Sequence, residues 1–228
     1  MQELGRTTEV IFESRDLLAF YKEKGLATVP LKRNSEGDSL LTKIAENYPE
    51  VRRVKGLNEW EGGIIHRLDT PTSGIVLCAR NDEAYAELIS AQKNNLIEKH
   101  YLASTTAKDN ALPGFETFPY TFQKNTLQIT SYFRTYGEKG ASVRPVLTNR
   151  RYQSGEKYTT AVRRTSTPDT FECIITKGFR HQIRAHLSWS GHPIIGDDRY
   201  GGIPNDNLLL EAVKVIFPFN GKIITIEV

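Results

Sequence analysis

Apolar positions along the chain follow two periods. After Asn81 the stretch DEAYAELISAQK repeats Tyr85, Leu88 and Ile89 at helical spacing until Asn94 and Asn95 end it, which predicts an amphipathic helix capped by Asn81 or Asp82. Two strand-like runs flank it: GIVLCA at 74–79, short and continuously apolar as a buried strand is, and EKHYLAS at 98–104, which alternates. Strand, helix, strand is therefore expected here. A second helix is expected from Ser39, whose hydroxyl can cap LLTKIAENY; a third covers HQIRAHLSWS and stops at Gly191. LQITSYFRTY, YTTAVRRT, TFECIIT, KVIFPF and KIITIEV read as strands. The last two flank Asn220-Gly221, the signature of a hairpin with a type I′ turn. No linker, repeat or low-complexity tract interrupts the 228 residues, so one domain over 1–228 is expected, with many strands and few helices, α/β or α+β.

With 25% charged and 10% aromatic residues the composition is that of a folded protein, and no apolar stretch is long enough to cross a bilayer. The opening MQELGRTTEV carries no apolar run, so neither a secretory signal nor a transit peptide is readable and a cytoplasmic location is expected. Cys78 and Cys173 each lie inside an apolar run, as buried reduced thiols do. Thirty Lys and Arg against 27 Asp and Glu leave a net charge of +3. Basic residues crowd between Arg134 and Arg184, including Arg144, Arg150, Arg151, Arg163, Arg164 and Lys177. Such a distribution suits an anionic partner, although a solvated charged face reads the same way.

Two segments are dense in chemistry. GGIIHRLDTPTSGIVLCAR sets His66, Arg67 and Asp69 between apolar runs and ahead of turn formers, so Asp69 is expected on a loop fastened between strands. That is a pedestal for a reactive carboxylate; a turn-capping Asp is an equal reading of this segment alone. TKGFRHQIRAHLSWSGHPIIGDDRYGG puts Arg180, His181, Arg184 and His186 near a helix start, with Arg180 and Arg184 four apart on one face. A phosphate or a carboxylate such as Asp69 would join them; alternatively one arginine pairs with a structural acid while the other is solvated.

HRLD with TSG at 66–74, IEKHYLA at 97–103 and RHQIRAHLSWSGHPIIGDDRYGG at 180–202 resemble, in order and spacing, the motif blocks of the RluA-type RNA pseudouridine synthases. The opening EVIFESRDLLAFYKEKGLATVP resembles the family's first block. The resemblance implies an α+β catalytic fold, a large mixed and mostly antiparallel sheet with a central cleft flanked by helices and loops. It implies an isomerase that turns uridines of structured rRNA or tRNA into pseudouridine, with no metal or organic cofactor. Residue by residue, Asp69 matches the essential aspartate, Tyr101 the tyrosine of K-x-Y beside Lys99, and Ile183 and Arg184 the last two residues of H-Q-[IL]-R. Arg67 matches the arginine that accompanies substrate binding, and His66, Arg180 and His181 belong to the same RNA-facing set. A monomer with no obligate protein partner and no membrane association is expected.

The chain departs from the family pattern in three places. Lys22-Glu23-Lys24-Gly25 stands where K-P-x-G is usual, Gly178-Phe179-Arg180-His181-Gln182 where G-R-T-H-Q is usual, and Leu210-Glu211-Ala212 where L-H-A is frequent. No S4 RNA-binding module is expected ahead of the first block. Two other classes share parts of this pattern. A metallohydrolase built on His181, His186, His192 and Asp197 suffers because His181 and His186 are five apart, not the four that aligns two ligands on a helix. A non-catalytic RNA-binding module would keep the basic surface and have no use for Asp69.

Overall fold

The computed structural model describes residues 8–30, 38–58, 60–108, 112–148 and 154–228. It divides into two compact units, Met1–Glu98 with Ala212–Val228, and Lys99–Glu211. The α+β class expected from the sequence is present, three helices and ten strands among the described residues.

In the first unit the strands are β1 (Glu9–Glu13), β2 (Leu17–Lys22), β3 (Ser73–Ala79), β9 (Leu210–Phe219, most of it in this unit) and β10 (Lys222–Glu227), neighbouring one another in that order. β1 with β2, β2 with β3 and β9 with β10 are antiparallel. The β9–β10 turn has positive φ at both Asn220 (51°) and Gly221 (70°), as the expected type I′ geometry requires. Helix α1 (Leu40–Asn47) starts where Ser39 accepts the Thr42 N–H, and α2 (Asp82–Lys93) where Asn81 accepts the Ala84 N–H. Each cap satisfies an amide the helix cannot. The apolar face of α2, with Leu88 and Ile89, meets Ile75 and Leu77 of β3 and Val215 and Phe217 of β9 in one core.

The second unit contains β4 (Glu98–Ser104, all but its first residue in this unit), β5 (Thr126–Tyr136), β6 (Ser142–Val146), β7 (Tyr158–Arg164) and β8 (Thr170–Ile175), in the spatial order β4-β8-β7-β5-β6. All four of these pairings are antiparallel. Helix α3 (Gln182–Trp189) packs on β6 and β7, and Ala185 joins Phe133, Val143, Tyr158 and Tyr200 in the core. It begins one residue later than the sequence suggests, because His181 adopts a left-handed φ of 55° as its cap. Directly paired residues of a sheet share a face. The register Tyr101↔Cys173, Cys173↔Val162 therefore sets Lys99 and Tyr101 on the face that also carries Thr160, against which α3 packs through His186.

Both cysteines are buried free thiols, and burial pushes both well above the usual thiol range. No helix among the described residues is long and apolar enough to cross a membrane.

Candidate active site

Asp69 stands, half-buried, on a loop tied down at both ends. On one side Ile65 N–H donates to Leu77 O and Ile64 bridges Cys78; on the other the Asp69 carbonyl accepts the Thr72 N–H at 3.0 Å. Between these, Thr28 reaches across, its hydroxyl donating to Leu68 O at 3.0 Å and accepting the Leu68 N–H at 3.1 Å. Gly74 pairs with Lys22 in the sheet register and has φ 114°, and a Cβ there would meet the Ala212 carbonyl oxygen at 2.2 Å. Only glycine fits such a position, which accounts for the TSG sequence that follows the aspartate.

Lys22 is the residue the sequence reading passed over. It ends a wholly buried strand, and its ammonium donates to the carbonyls of Leu26 (2.8 Å), Glu23 (3.0 Å) and Thr70 (3.2 Å). The Gly25 N–H donates to the same Thr70 oxygen. A cation thus staples the first block to the residue after Asp69. Burial lowers the Lys22 pKa to about 8, against the pull of the Asp69 and Glu23 charges, which favour its protonated form. Glu23, in place of the usual proline, accepts from Lys43 at 2.8 Å and from Thr8 at 3.2 Å, and the Lys43 hydrogen bond holds its carboxyl below the ordinary range.

The neighbours of Asp69 divide by exposure. His66 is buried, with Nε2 3.4 Å from the Leu77 N–H, so it faces the strand that backs the loop. Arg67 is exposed and meets Glu61 at 3.0 Å. An ion pair this open is worth less than about 1 kcal/mol and leaves the guanidinium able to swing away.

In the second unit Lys99, Tyr101, Ile183 and Arg184 are all buried. Arg184 donates from Nε and Nη2 to the two Asp197 oxygens at 2.7 and 2.8 Å, and its guanidinium lies 5.2 Å from the centre of the Tyr200 ring. Asp197 Oδ1 also accepts the Tyr200 N–H, and the Tyr200 hydroxyl accepts from Val143 N–H and meets His181 Nδ1 at 3.0 Å. Arg180, exposed, donates to the Gly140 and Ser142 carbonyls. Phe179, at the family's usual arginine position, stacks on Phe133 at 5.0 Å instead of offering a charge.

The histidines weighed as metal ligands have separate partners. His186 is held between the Thr160 and Ser131 hydroxyls, and burial lowers its pKa to about 3, so it is a neutral core residue. Among the described residues no three His, Cys, Asp or Glu side chains gather as a metal group. The basic cluster also resolves into different roles. Arg163 lies 3.5 Å from Glu172, Lys177 pairs with Glu156, Arg164 covers Phe122 at 4.3 Å, and Arg144 donates to Gly114 O. Arg150 and Arg151 lie outside the described residues.

Lys99 permits a stability prediction. Burial alone lowers its pKa from 10.5 to about 8. Below pH 8 the native state carries a desolvated cation that the unfolded chain keeps in water; between pH 8 and 10.5 the native amine is already neutral and the penalty fades. The shift corresponds to about 3 kcal/mol. Lys99→Met, of similar length and apolar, is therefore expected to raise the melting temperature at pH 7 by roughly 5–10 °C. The gain should shrink towards pH 10. Melting curves at the two pH values test this, and a lower melting temperature for the variant at pH 7 would refute it.

The model of a family described as RNA pseudouridylate synthase matches residues 16–189. The dual-specificity RNA pseudouridine synthase RluA of Vibrio vulnificus is 28% identical over 193 residues, covering 85% of this chain and 69% of that protein. Ribosomal large subunit pseudouridine synthase D of Yersinia pestis is 28% identical over 196 residues, and this chain spans about half of it, 53%. Among solved structures, human RNA pseudouridylate synthase domain containing 1 superposes with a TM-score of 0.68 over 97% of this chain and 83% of that one, at 18% identity, a likeness of fold. The family match over residues 16–189 defines an RNA-modifying isomerase. The chain belongs to the RNA pseudouridylate synthase family.

Proposed function

We propose that this enzyme isomerises uridines of structured rRNA or tRNA with Asp69 as the catalytic carboxylate. The observation that carries the reading is the build of the Asp69 loop, a half-exposed carboxylate on a segment stapled by Lys22 and Thr28 and backed by β3. So much fixation around one acid suits a preorganised reactive group. The reaction breaks the bond from ribose carbon 1′ to uracil nitrogen 1 and forms one from carbon 1′ to uracil carbon 5. Carbon 5 gives up its proton, nitrogen 1 gains one, and there is no net redox change. Ionised Asp69 acts on carbon 1′ as nucleophile or as stabiliser of positive charge on the sugar. Tyr101 supplies a flat face for the uracil and a phenol for proton movement, Ile183 an apolar wall, and Arg184 a cation oriented by Asp197. Lys99, His66, Arg180 and His181 complete the set that supports substrate binding.

The related proteins' names, a dual-specificity RNA enzyme and a ribosomal large subunit enzyme, support RNA, rRNA among it, as the target. A cytoplasmic monomer acting without a protein partner is the simplest setting for it. Mapping pseudouridine across cellular RNA with and without the gene tests the reading. The expected result is one or more sites lost with the gene; an unchanged map overturns it.

A uridine inside a folded stem-loop must leave its stack, at a cost of a few kcal/mol, before its glycosidic bond can be reached. Arg67, long, planar and exposed, is suited to fill the vacated space. Arg67→Ala is expected to lose more single-turnover rate on a structured stem-loop than on a short unstructured RNA carrying the same uridine, at one salt concentration. Equal losses would mean that Arg67 only braces the loop through Glu61.

A further inference from the structure

The β5–β6 hairpin gathers positive charge in a way its own stability does not require. Arg134 and Arg144 are directly paired across it, so both project from one face. Like charges at such a position repel. Arg144 is fixed in place, donating to Gly114 O at 3.1 Å and lying 5.8 Å from the centre of the Tyr136 ring, while its buried Nε has no hydrogen-bond partner. Arg134 is exposed. The turn that joins the strands, Glu138–Gly140, exposes Lys139 at a left-handed φ of 49°. Two further guanidinium groups come to the same turn from outside the hairpin. Arg180 donates to Gly140 O, and Arg199 to Ala141 O at 2.5 Å. Arg180 also reaches the Ser142 carbonyl from the same nitrogen, and both guanidinium groups keep donors free in a fork that has five. Among the described residues none of these five cations is ion-paired with a carboxylate. Glu138 and Asp198, the exposed acids on the same elements, pair with none of them, and the Glu116 carboxylate accepts the Leu147 N–H.

We infer that this hairpin is a docking surface for RNA backbone phosphates, with Arg134 and Arg144 gripping the strand and Lys139, Arg180 and Arg199 lining the turn. The inference rests on the reading that the substrate is RNA, and adds where the backbone is held. Charge complementarity selects the occupant. A phosphate accepts paired donors from two guanidinium groups and removes the repulsion between them, and the half-exposed Tyr136 ring beside Arg144 offers a face for a base.

The test uses Arg134→Glu, because it separates binding from folding. A carboxylate opposite Arg144 replaces a repulsive pair by an attractive one, so the free protein is expected to melt at an equal or higher temperature. Binding of a fluorescently labelled, uridine-containing RNA stem-loop to the full chain is expected to weaken roughly tenfold or more at 0.1 M salt. The slope of log affinity against log salt should fall by about one to two. Lys139→Glu, at the exposed turn, should shift affinity in the same direction. Unchanged RNA affinity and salt slope in Arg134→Glu would overturn the proposal and leave an acidic protein surface as the partner to seek. Pseudouridine formation by the wild-type chain is a separate measurement: its failure counts against the synthase reading, whereas binding decides the hairpin.

Discussion

Asp69→Asn is expected to fold, to bind RNA and to make essentially no pseudouridine, with a rate loss on the order of 10⁴-fold or more, as when an essential catalytic group is removed elsewhere. The carboxamide has nearly the same shape as the carboxylate but carries no charge and is a poor nucleophile. The loop should survive the change because its fixation is largely to backbone. Thr28 binds Leu68 through main-chain atoms, Lys22 binds the Thr70 carbonyl, and the turn closes through the Asp69 carbonyl itself. The attraction between Asp69 and Lys22, which favours the protonated lysine, is lost. The Lys22 pKa should then fall further below 8, at a stability cost on the order of 1 kcal/mol. Single-turnover assays with RNA in excess and anisotropy binding on the same preparation separate chemistry from binding. Turnover within tenfold of wild type would remove Asp69 from the catalytic role.

Local signals in the sequence were sufficient for some elements and silent for others. Helix α2 was readable to its caps because Asn81 and Asn94 bracket a clean apolar repeat, and the β9–β10 turn because Asn-Gly demands one geometry. Strand β6 was missed: Pro145 and Arg144 interrupt any strand pattern, and both are tolerated because β6 lies at the end of the strand order, where a missing donor costs no ladder bond. Strand β2 shows no alternation because every residue in it is buried, Lys22 included. The motifs marked Asp69, Tyr101 and Arg184, but not what holds them. Of the three carbonyls that hold Lys22, the one that ties it to the Asp69 loop lies 48 residues away, and the residue that opposes a Gly74 Cβ more than a hundred, so neither leaves a local pattern. Arg184 read as a ligand for phosphate or for Asp69. Two of its nitrogens go to Asp197, one of the acids that the GDD sequence had offered as a metal ligand.

That ion pair gives the largest expected effect on stability. Arg184 and Asp197 side chains are 7% and 0% exposed, so their mutual attraction offsets a desolvation cost that neither can bear alone. Asp197→Ala takes the bidentate carboxylate away from a buried guanidinium, which costs about 3–5 kcal/mol. It also removes the side-chain acceptor of the Tyr200 N–H at the start of the Asp198–Tyr200 turn, worth about 1 kcal/mol as a cap, and leaves that N–H the Asp197 carbonyl alone. Tyr200 in turn holds the Val143 N–H and His181, so the loosening should spread to β6 and to the cap of α3. The expected result is a fall in the melting temperature of roughly 10 °C or more. Removing both charges is expected to cost less than removing one: Asp197→Leu with Arg184→Met should recover a large part of the lost stability, because no unpaired charge is then buried. The double variant should nevertheless remain impaired in pseudouridine formation, since it lacks the cation proposed to act there. Denaturant titrations of the two single variants and the double variant close the cycle. If Asp197→Ala lies within 1 kcal/mol of wild type, the pair does not support α3, and the buried guanidinium is being neutralised by another group.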